Sequence, residues 1–479
     1  MTRQMPPNTL KPFDLPAVSP PQDLHNIDPL DGRYFDAEAA RYLSEQSRVT
    51  FQAYAEAALA HTLAEYGICS KQDADAIELS ARSIRATDVY AEELETKHDV
   101  KALVNCIKRG ATEGARPYVH FGATSYDIVA TASALQMRTA MDELVVPRLK
   151  RLVETLVGLA DTYADTVQIG RTHGQHAVPI TFGFAISEYV SRIGESMVAI
   201  SALSDELKGK FSGAVGAYNA LSAFVDDPLS FEKSVLARLG LQPAPYSTQI
   251  VPPEGMVRLL DELTVAAGIM ANLSHDMRHL QRSEIAEVRE RFEKGQTGSS
   301  TMAHKRNPWN FENVVSMSKQ VIAQSMNANL NLSSEHQRDL TDSASARFYA
   351  ISVACVASMA DRLNTVMGKL EVDDEAMARN VALSGGAIAA EPFYLLLAKH
   401  GHPHAHEFSK ELAHHALENG LTLHEAIKQD AEAAGYWEKF NAKEQEIISE
   451  PGLHYTGMAA VKARAITTYW KDTLRRMNP

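Results

Sequence analysis

The sequence predicts an all-α protein built around a bundle of long helices. Between Met256 and Leu280 the apolar side chains recur at alternating spacings of three and four residues, which places one stripe along one helix face. Sustained alternation of apolar and polar residues, the pattern typical of strands, is scarce. Helices of this length usually need partners to cover their apolar faces, so we expect the chain to associate with further copies of itself.

The first thirty residues differ from the rest of the chain. Residues 1–29 hold seven of the twenty prolines. Proline fixes φ and removes an amide donor, so the segment is predicted to be an extended arm, either disordered or lying across the body. A helical domain is expected to follow over residues 30–125.

The centre of the chain, residues 126–368, is predicted to be the long-helix bundle. Four further apolar stripes at helical spacing run along residues 145–159, 189–200, 314–326 and 344–370.

The helical pattern breaks at residues 368–376. There Asp373, Asp374 and Glu375 favour a new helix start, because acidic side chains suit the positive N-terminal end of a helix. We therefore place a shorter C-terminal helical domain over residues 369–479.

The composition excludes some classes of function. The 479 residues carry 47 basic and 60 acidic side chains, a formal charge of −13, and 45% of them are hydrophobic. The acidic balance argues against a nucleic-acid binder but permits a small anionic ligand in a locally cationic pocket. No run approaches the ~18 consecutive apolar residues of a membrane span, and the N-terminus does not resemble a secretory signal. We expect a cytoplasmic protein that binds neither nucleic acid nor membrane.

Cysteine and histidine usage predicts no metal site. Cys69, Cys106 and Cys355 lie far apart in apolar surroundings, which favours buried, reduced thiols over a disulfide framework. The histidines around His404 have a spacing that suits no closed zinc site. The charged run 289–294 is interpreted as a solvated helix end.

The most informative stretch is the loop at residues 294–308. It interrupts two helical patterns, and Gly295 and Gly298 give it backbone freedom while Pro308 is well placed to start the next helix. A connection of ~15 residues is long for a helix bundle. An exposed polar linker would not explain an apolar Met302 among donors and cations, so a functional loop is favoured.

Three further polar clusters are candidates for chemistry, at residues 97–101, 120–127 and 170–176. His173 can carry a proton near neutrality, although a structural histidine is an equally good interpretation. Thr124 or Ser125 can simply cap the following helix, and the amides of that helix start can equally hold a carboxylate.

Together these clusters resemble the fumarase/aspartase superfamily. The hallmark loop of that superfamily reads GSSxMPxKxNP, and residues 298–308 read GSSTMAHKRNP. Within the superfamily the chain is most similar to the adenylosuccinate lyases, from Asp31 to at least Arg347. Ala303 replaces the usual proline, which should leave the loop somewhat freer.

The resemblance implies elimination of fumarate from adenylosuccinate, giving AMP, and from succinylaminoimidazole-carboxamide ribotide. It assigns the base to Ser299 and the general acid to His173, with Glu312 as the carboxylate partner of the histidine. Lys305 and Asn307 would activate the serine and stabilise the charge that develops on the carboxylate. No cofactor is implied.

The resemblance also implies a set of residues that bind the anionic nucleotide substrates. Guanidinium groups and hydroxyls suit the phosphate. His98 and His120 would contact the phosphate or the succinyl part of the substrate. Ser300 would offer its hydroxyl or amide to a carboxylate. Besides Ser300, the members of the set are Arg33, Tyr34, His98, Asp99, His120, Thr124, Ser125, Thr172, Gln249, Arg338, Ser343 and Arg347. Because Arg338 and Arg347 are nine residues apart, they need an irregular stretch between them to converge.

The superfamily also supplies the expected assembly and the alternatives. Its members form homotetramers with a twenty-helix core, five helices from each subunit, and each active site takes residues from three subunits. One alternative is a sister lyase or cycloisomerase such as carboxymuconate cycloisomerase, which needs no phosphate site. Another is a silent, crystallin-like helical scaffold.

Overall fold

The chain is mostly α-helical in a computed structural model that describes residues 9–20, 27–292, 295, 301–302, 304–384 and 386–477. Its fold agrees with the predicted all-α class. The α-helices are α1 (Ala37–Leu43), α2 (Glu45–Glu65), α3 (Lys71–Arg82), α4 (Ala86–Thr96), α5 (Asp99–Gly110), α6 (Ser125–Ala140), α7 (Val146–Thr162), α8 (Phe182–Asp205), α9 (Pro228–Arg238), α10 (Glu254–Leu280), α11 (Trp309–Leu330), α12 (Tyr349–Met367), α13 (Asp374–Ala382), α14 (Ala390–Lys399), α15 (Ala405–Glu418), α16 (Leu423–Gln429), α17 (Ala431–Trp437), α18 (Ala442–Ser449), α19 (Pro451–His454) and α20 (Ala459–Arg476).

The five predicted apolar stripes all fall on long helices. They lie on α7, α8, α10, α11 and α12, which have 17, 24, 27, 22 and 19 residues respectively. The fifth helix is shorter than the predicted stripe because residues 345–348 form a 3-10 turn before Tyr349. Leu259, Leu260 and Leu263 on α10 are fully buried, as a core-facing stripe requires.

Short strands complete the described structure. The longest pair is an antiparallel hairpin of β1 (Val167–Thr172) and β2 (Gln175–Thr181). The sequence pattern did not predict this hairpin. The other four strands have two residues each and form two pairs, β3 (Lys208–Gly209) with β4 (Gln242–Pro243) and β5 (Val288–Arg289) with β6 (Glu371–Val372).

Residue contacts divide the chain into two units. The first takes the described residues of Met1–Lys150, Glu195–Ala271 and Val314–Arg362, and the second those of Arg151–Gly194, Asn272–Asn313 and Leu363–Pro479. The five long helices carry residues of both units. The three-domain division remains a prediction.

The core of the first unit is organised around α2. This helix is alanine-rich and buried on almost every side, with Ala53, Ala57 and Leu63 fully inaccessible to solvent. Small side chains let neighbouring helices approach closely, and α2 packs against α3, α6 and α9. The same helix carries side chains of the candidate site described below.

The described part of the proline-rich arm lies against the first unit. Phe13 is buried, with its ring centroid 4.9 Å from that of Tyr54 on α2 and 4.3 Å from the guanidinium carbon of Arg82 on α3. Arg82 also donates to the carbonyl of Lys11 at 2.9 Å, and the Leu10 amide donates to the carbonyl of Arg238 at 2.9 Å. Of the two predicted alternatives, a disordered arm and an arm lying across the body, residues 9–20 follow the second.

The second unit contains a compact helical core formed by α14 to α18, in which Phe393, Leu397 and Ile427 are fully buried. The last helix, α20, packs on α8 where Trp470 covers Gly194. A Cβ atom at Gly194 would lie 2.4 Å from the indole, so only glycine fits there.

Three smaller predictions have clear outcomes. The three cysteines are free and buried, as expected. The helix start at residue 374 is confirmed, because the Asp373 side chain accepts from the Ala376 amide at 2.8 Å. The prediction of a solvated helix end at residues 289–294, of which 293–294 lie outside the described residues, was wrong about the helix, because α10 ends at Leu280 and residues 288–289 form β5. Arg289 and Arg291 are exposed as predicted, but Glu290 is 1% exposed.

No single helix in the described ranges is both long and apolar enough to cross a membrane. The pair Asp374–Ala382 and Ala387–Lys399 reaches that length and composition only when its two helices, bent by 70°, are taken together.

Candidate active site

A cavity of about 940 Å³ in the first unit collects six of the residues expected to bind substrate. They come from four separate stretches of sequence, brought together by α5, α6, the segment before α10 and the turn before α12. The six residues are His98, Asp99, Ser125, Gln249, Ser343 and Arg347.

Arg338 lies beside this cavity rather than on its wall. Its guanidinium pairs with Asp342 and stacks 4.1 Å from the ring centroid of Tyr126, and both partners line the cavity. The Arg338 side chain is 4% exposed, and its Nε and one Nη are buried without a hydrogen-bond acceptor in the described residues. Buried guanidinium donors without acceptors are unfavourable, so this group is suited to an anionic acceptor.

The stretch between Arg338 and Arg347 is irregular, as the sequence predicts. It consists of turns followed by the 3-10 helix Ser345–Phe348. This geometry places Ser343 and Arg347 on the cavity wall, where Arg347 donates to Asp99 at 3.2 Å.

Of the two roles that the sequence left open for the helix start at Ser125, the structure shows a cap, while the binding of a carboxylate by its amides stays a prediction. The Thr124 amide donates to Asp127 at 2.8 Å, which caps α6, while Ser125 in the first turn faces the cavity. Asp127 is held in turn by a fully buried ion pair with Lys210 and by the Gly213 amide at 3.2 Å. Loss of either partner would leave an uncompensated buried charge, so this helix start is strongly fixed.

His120 lies in the same unit but does not line the cavity. Its backbone is left-handed, with φ of 65°, and its Nδ1 lies 2.6 Å from the buried carboxylate of Glu56. Burial disfavours the imidazolium, but the Glu56 carboxylate outweighs burial and raises the pKa of His120.

Four of the predicted residues of the first unit also make local contacts. His98 caps α5 by accepting from the Lys101 amide at 3.4 Å, and the Gln249 amide donates to the carbonyl of Gln337 at 3.2 Å. Arg33 and Tyr34 follow a 3-10 turn, with the guanidinium carbon 6.0 Å from the ring centroid. Neither Arg33 nor Tyr34 lines the cavity.

Sequence reasoning missed several polar residues of the cavity, among them Arg48 and Arg258. Arg48 pairs with Glu45 at 2.8 Å, three residues away on α2, and such a pair resembles an ordinary surface ion pair in sequence. The described lining holds five Lys or Arg and six Asp or Glu side chains. By itself this wall therefore carries no excess positive charge. The charged lining residues are Arg48, Lys97, Lys208, Arg258, Arg347, Glu45, Glu93, Asp99, Glu206, Glu254 and Asp342.

In the second unit, Thr172 and His173 lie at the tip of the β1–β2 hairpin. His173 and Gly174 have φ of 54° and 74° and form a two-residue turn that joins the paired residues Thr172 and Gln175. Positive φ at both positions matches the twist of a type I′ hairpin turn. Both predicted site residues are exposed.

Strand β1 of the hairpin is held by a buried carboxylate that the sequence did not indicate. Glu287 is fully buried and accepts hydrogen bonds from Arg171 at 2.6 and 3.2 Å, from Gln168 at 2.8 Å and from Asn380 at 2.8 Å.

The second unit also holds the described end of the signature loop. Lys305 is exposed, with its amide donating to the Met302 carbonyl at 3.0 Å, and Asn307 is half-buried. Glu312, on the first turn of α11, lies 3.6 Å from Arg278. Ser299, Ser300 and Ala303 lie outside the described residues.

The start of α11 beyond this loop is fixed by Glu290. Its carboxylate accepts from the Asn310 amide at 3.0 Å, from the Asn310 side chain at 2.7 Å and from the Phe311 amide at 3.2 Å. Gln281 links the same region by donating to the Arg306 carbonyl at 3.2 Å and accepting from the Glu290 amide at 3.0 Å. These bonds satisfy amides that the helix itself leaves unpaired.

In the described part of the chain, no three His, Cys, Asp or Glu side chains are grouped so that they could hold a metal ion.

Comparison with protein families gives two matches that together cover most of the chain. A family described as "Lyase" matches residues 33–323, and one described as "Adenylosuccinate lyase C-terminal" matches residues 334–442.

Curated relatives match over nearly their full length. The adenylosuccinate lyase of Archaeoglobus fulgidus is 32% identical over 453 residues, which cover 94% of this chain and 100% of the relative. The adenylosuccinate lyase of Pyrococcus abyssi is 34% identical over 456 residues, covering 94% and 99% respectively.

Solved structures share the fold. The fumarate lyase from Mesorhizobium sp. BNC1 superposes with a TM-score of 0.81 at 23% identity, covering 90% of this chain and 98% of that chain. The 3-carboxy-cis,cis-muconate lactonizing enzyme from Pseudomonas putida also gives a TM-score of 0.81, at 26% identity and with coverage of 93% and 99%.

Proposed function

Because this chain belongs to the adenylosuccinate lyase family, we propose that it eliminates fumarate from adenylosuccinate to give AMP. The same chemistry would release fumarate from succinylaminoimidazole-carboxamide ribotide. Both substrates carry a phosphate on the nucleotide. Both also carry a succinyl group, which has two carboxylates and is bonded to the nucleotide through nitrogen.

The observation that carries this proposal is the convergence of residues in the first-unit cavity. Ser125, Gln249 and Ser343 offer neutral hydrogen-bonding groups, and Arg347 offers a guanidinium for an anion. Arg338 adds donors that lack an acceptor in the described structure. A volume of about 940 Å³ is large enough for a nucleotide-sized ligand.

The proposed reaction is a β-elimination with a separate base and acid. Ser299 removes the proton from the carbon next to a carboxylate, and the resulting electron pair forms the C=C bond of fumarate as the C–N bond breaks. The departing nitrogen takes a proton from His173. The position of His173 at an exposed hairpin tip is compatible with access to a bound substrate.

Lys305 and Asn307 are proposed to stabilise the negative charge that accumulates on the carboxylate as the proton leaves. Their cationic and amide groups suit an oxyanion-type role, which is often the largest contribution to catalysis. Glu312 is proposed as the carboxylate partner of His173, although its described contact is with Arg278. No cofactor is needed, because side chains supply the base, the acid and the charge stabilisation.

We also propose that copies of the chain assemble as a homotetramer and share their sites. Ile322, Met326 and Leu330 are 50%, 67% and 72% exposed along one face of α11, at spacings of four residues. A contiguous apolar stripe of this kind on a long helix is typical of a surface covered by another protein chain. Sharing of sites between copies would also bring basic side chains to a cavity whose own wall has no excess of them.

The second candidate is a cycloisomerase acting on carboxymuconate, which the solved relative from Pseudomonas putida favours. The two activities are separated by presenting adenylosuccinate, succinylaminoimidazole-carboxamide ribotide and 3-carboxy-cis,cis-muconate to the purified protein. We expect fumarate from the two nucleotides and no lactone from the muconate. Lactone formation without fumarate release would replace the proposal by the second candidate, and no turnover of any of the three would favour a silent scaffold.

A further inference from the structure

We propose that Glu287 is a positioning residue for His173, acting through strand β1 of the β1–β2 hairpin. This inference rests on the proposed function, because it assigns a role in the same elimination. Glu287 lies in the second unit, as does the whole hairpin.

The first observation is the completeness of the Glu287 environment. The carboxylate is fully buried, and its two oxygens accept four hydrogen bonds, two of them from the fork of Arg171 at 2.6 and 3.2 Å. Gln168 and Asn380 each donate at 2.8 Å. A buried carboxylate is tolerated only with such partners, and the bidentate geometry fixes the direction of the arginine as well as its charge.

The second observation is that Glu287 is itself immobilised by its backbone. Its amide donates to the carbonyl of Leu280 at 3.0 Å, and its carbonyl accepts from the amide of Asp373 at 2.9 Å. The preceding Ala286 has a left-handed backbone with φ of 56°, an unfavourable conformation for alanine that persists only where surrounding contacts enforce it. The carboxylate therefore sits at a fixed point of the unit.

The third observation is the short path from this point to His173. Arg171 lies on β1 two residues before His173 and pairs with His176, one step before the pair Thr172 and Gln175 that closes the ladder at the turn. The strand bulges at Gly170, where a Cβ atom would lie 2.7 Å from the carbonyl oxygen of Val178. A bulge redirects the strand, so the orientation of the tip depends on how β1 is held on both sides of Gly170.

Glu287 acts indirectly in this account. Its side chain has no exposed surface, and its described hydrogen bonds are to Gln168, Arg171 and Asn380. Replacing Glu287 with glutamine keeps the side-chain volume but removes the negative charge. The glutamine NH₂ group would also face the N–H donors that now bind the carboxylate. We expect the hairpin tip to lose its fixed orientation while the nucleotide-binding cavity of the first unit is unchanged.

The test is a double-mutant cycle on fumarate release. We expect Glu287→Gln to lower kcat by about 10- to 100-fold, with KM changed by less than about threefold, because misplacing a catalytic group costs rate rather than affinity. In a His173→Ala background the same substitution should lower kcat by no more than about twofold, since the group that it positions is already absent. Full kcat in Glu287→Gln, or an undiminished loss in the His173→Ala background, would overturn the proposal.

Arg171→Lys gives a second route should Glu287→Gln fail to fold. It retains the charge and loses the bidentate fork, so it should lower kcat with the same dependence on His173. Unchanged kcat in Arg171→Lys would overturn the proposal even without data on Glu287→Gln.

Glu444→Gln is the matched control. Glu444 is a buried carboxylate of the same unit, paired with Lys399 at 2.6 Å and His400 at 3.3 Å, and it makes no described contact with the hairpin. Its loss should affect thermal stability without affecting kcat, and an equal loss of kcat in this control would overturn the specific role of Glu287. Wild-type turnover is measured first, so that absence of elimination in the wild type counts against the proposed function and not against this inference.

Discussion

The pairing of His120 with Glu56 shows how one buried carboxylate shifts the pKa of a neighbouring side chain. The imidazole lies 2.6 Å from a carboxylate that has no exposed surface, and the second oxygen of Glu56 has no described hydrogen-bond partner. Although burial disfavours the imidazolium, the carboxylate raises the pKa of His120 above its usual value. A histidine whose pKa is raised takes up a proton more readily than a free imidazole, which suits it to an anionic ligand.

The sign of the pH effect follows from that direction. A histidine whose pKa is raised on folding stabilises the folded state fully below the unfolded pKa of about 6.5, and this stabilisation is lost as the pH rises through the folded pKa. We therefore expect Glu56→Gln to lower the Tm more at pH 5.5 than at pH 9, the two test conditions. Thermal unfolding of the wild type and the variant checks this. The difference should vanish in a His120→Gln background, and a destabilisation that does not depend on pH would contradict the account.

The buried guanidinium of Arg338 leads to a prediction about ligand affinity. Its side chain is 4% exposed, pairs with Asp342 and keeps two buried nitrogens without a described acceptor. A charged hydrogen bond contributes about 1.5–3 kcal/mol, so we expect Arg338→Ala to weaken AMP binding by roughly 10- to 100-fold. Calorimetric titration with AMP measures this, and titration with fumarate, which lacks a phosphate, is the control. Equal losses for both ligands, or no loss for AMP, would remove Arg338 from the phosphate site.

At the scale of elements, the long helices were predictable and the hairpin was not. A stripe of apolar residues at three- and four-residue spacing over more than five turns, as in α10, has one structural interpretation. The hairpin lacks such a signal, because the bulge at Gly170 breaks the alternation of β1 and Pro179 lies within β2. Its turn residues, His173 and Gly174, are also less typical of a type I′ turn than Asn-Gly.

The contacts of the proline-rich arm lead to a prediction about stability. Phe13 is 7% exposed between Tyr54 and Arg82, so its truncation removes buried apolar area and leaves a cavity. Phe13→Ala should lower the unfolding free energy by about 3 kcal/mol and increase hydrogen exchange in α2 and α3. Asp14→Ala, at an exposed neighbouring position, is the matched control. If both variants behave as the wild type, the arm does not stabilise this unit.

At the scale of the whole molecule, the motifs indicated the family, which the comparisons confirm, but not the surroundings of the site. Residues 298–308 carry the resemblance to the superfamily in a few positions, and the roles assigned to them stay predictions. The cavity wall includes Arg48 and Arg258 and has no excess of basic side chains. Neither property was predictable, because both depend on helices distant in sequence whose charged residues look like solvated surface.

The proposed sharing of sites predicts complementation between inactive variants. His98 lines the first-unit cavity and His173 lies in the second unit. Because both histidines are proposed to act on the substrate, we expect His98→Gln and His173→Gln each to be nearly inactive. If the two residues of one site come from different copies, refolding an equal mixture restores about one quarter of wild-type activity, the fraction of sites with both histidines intact. Each variant refolded alone is the control. A mixture as inactive as its components would contradict sharing between these two residues.

The most direct test of the central claim is a time course of fumarate and AMP released from adenylosuccinate by the wild type and by Ser299→Ala. We predict equimolar fumarate and AMP from the wild type, and no detectable release from a variant that assembles like the wild type. Release at the wild-type rate by Ser299→Ala would remove the serine from the base role. A wild-type protein that binds adenylosuccinate without cleaving it would contradict the account as a whole.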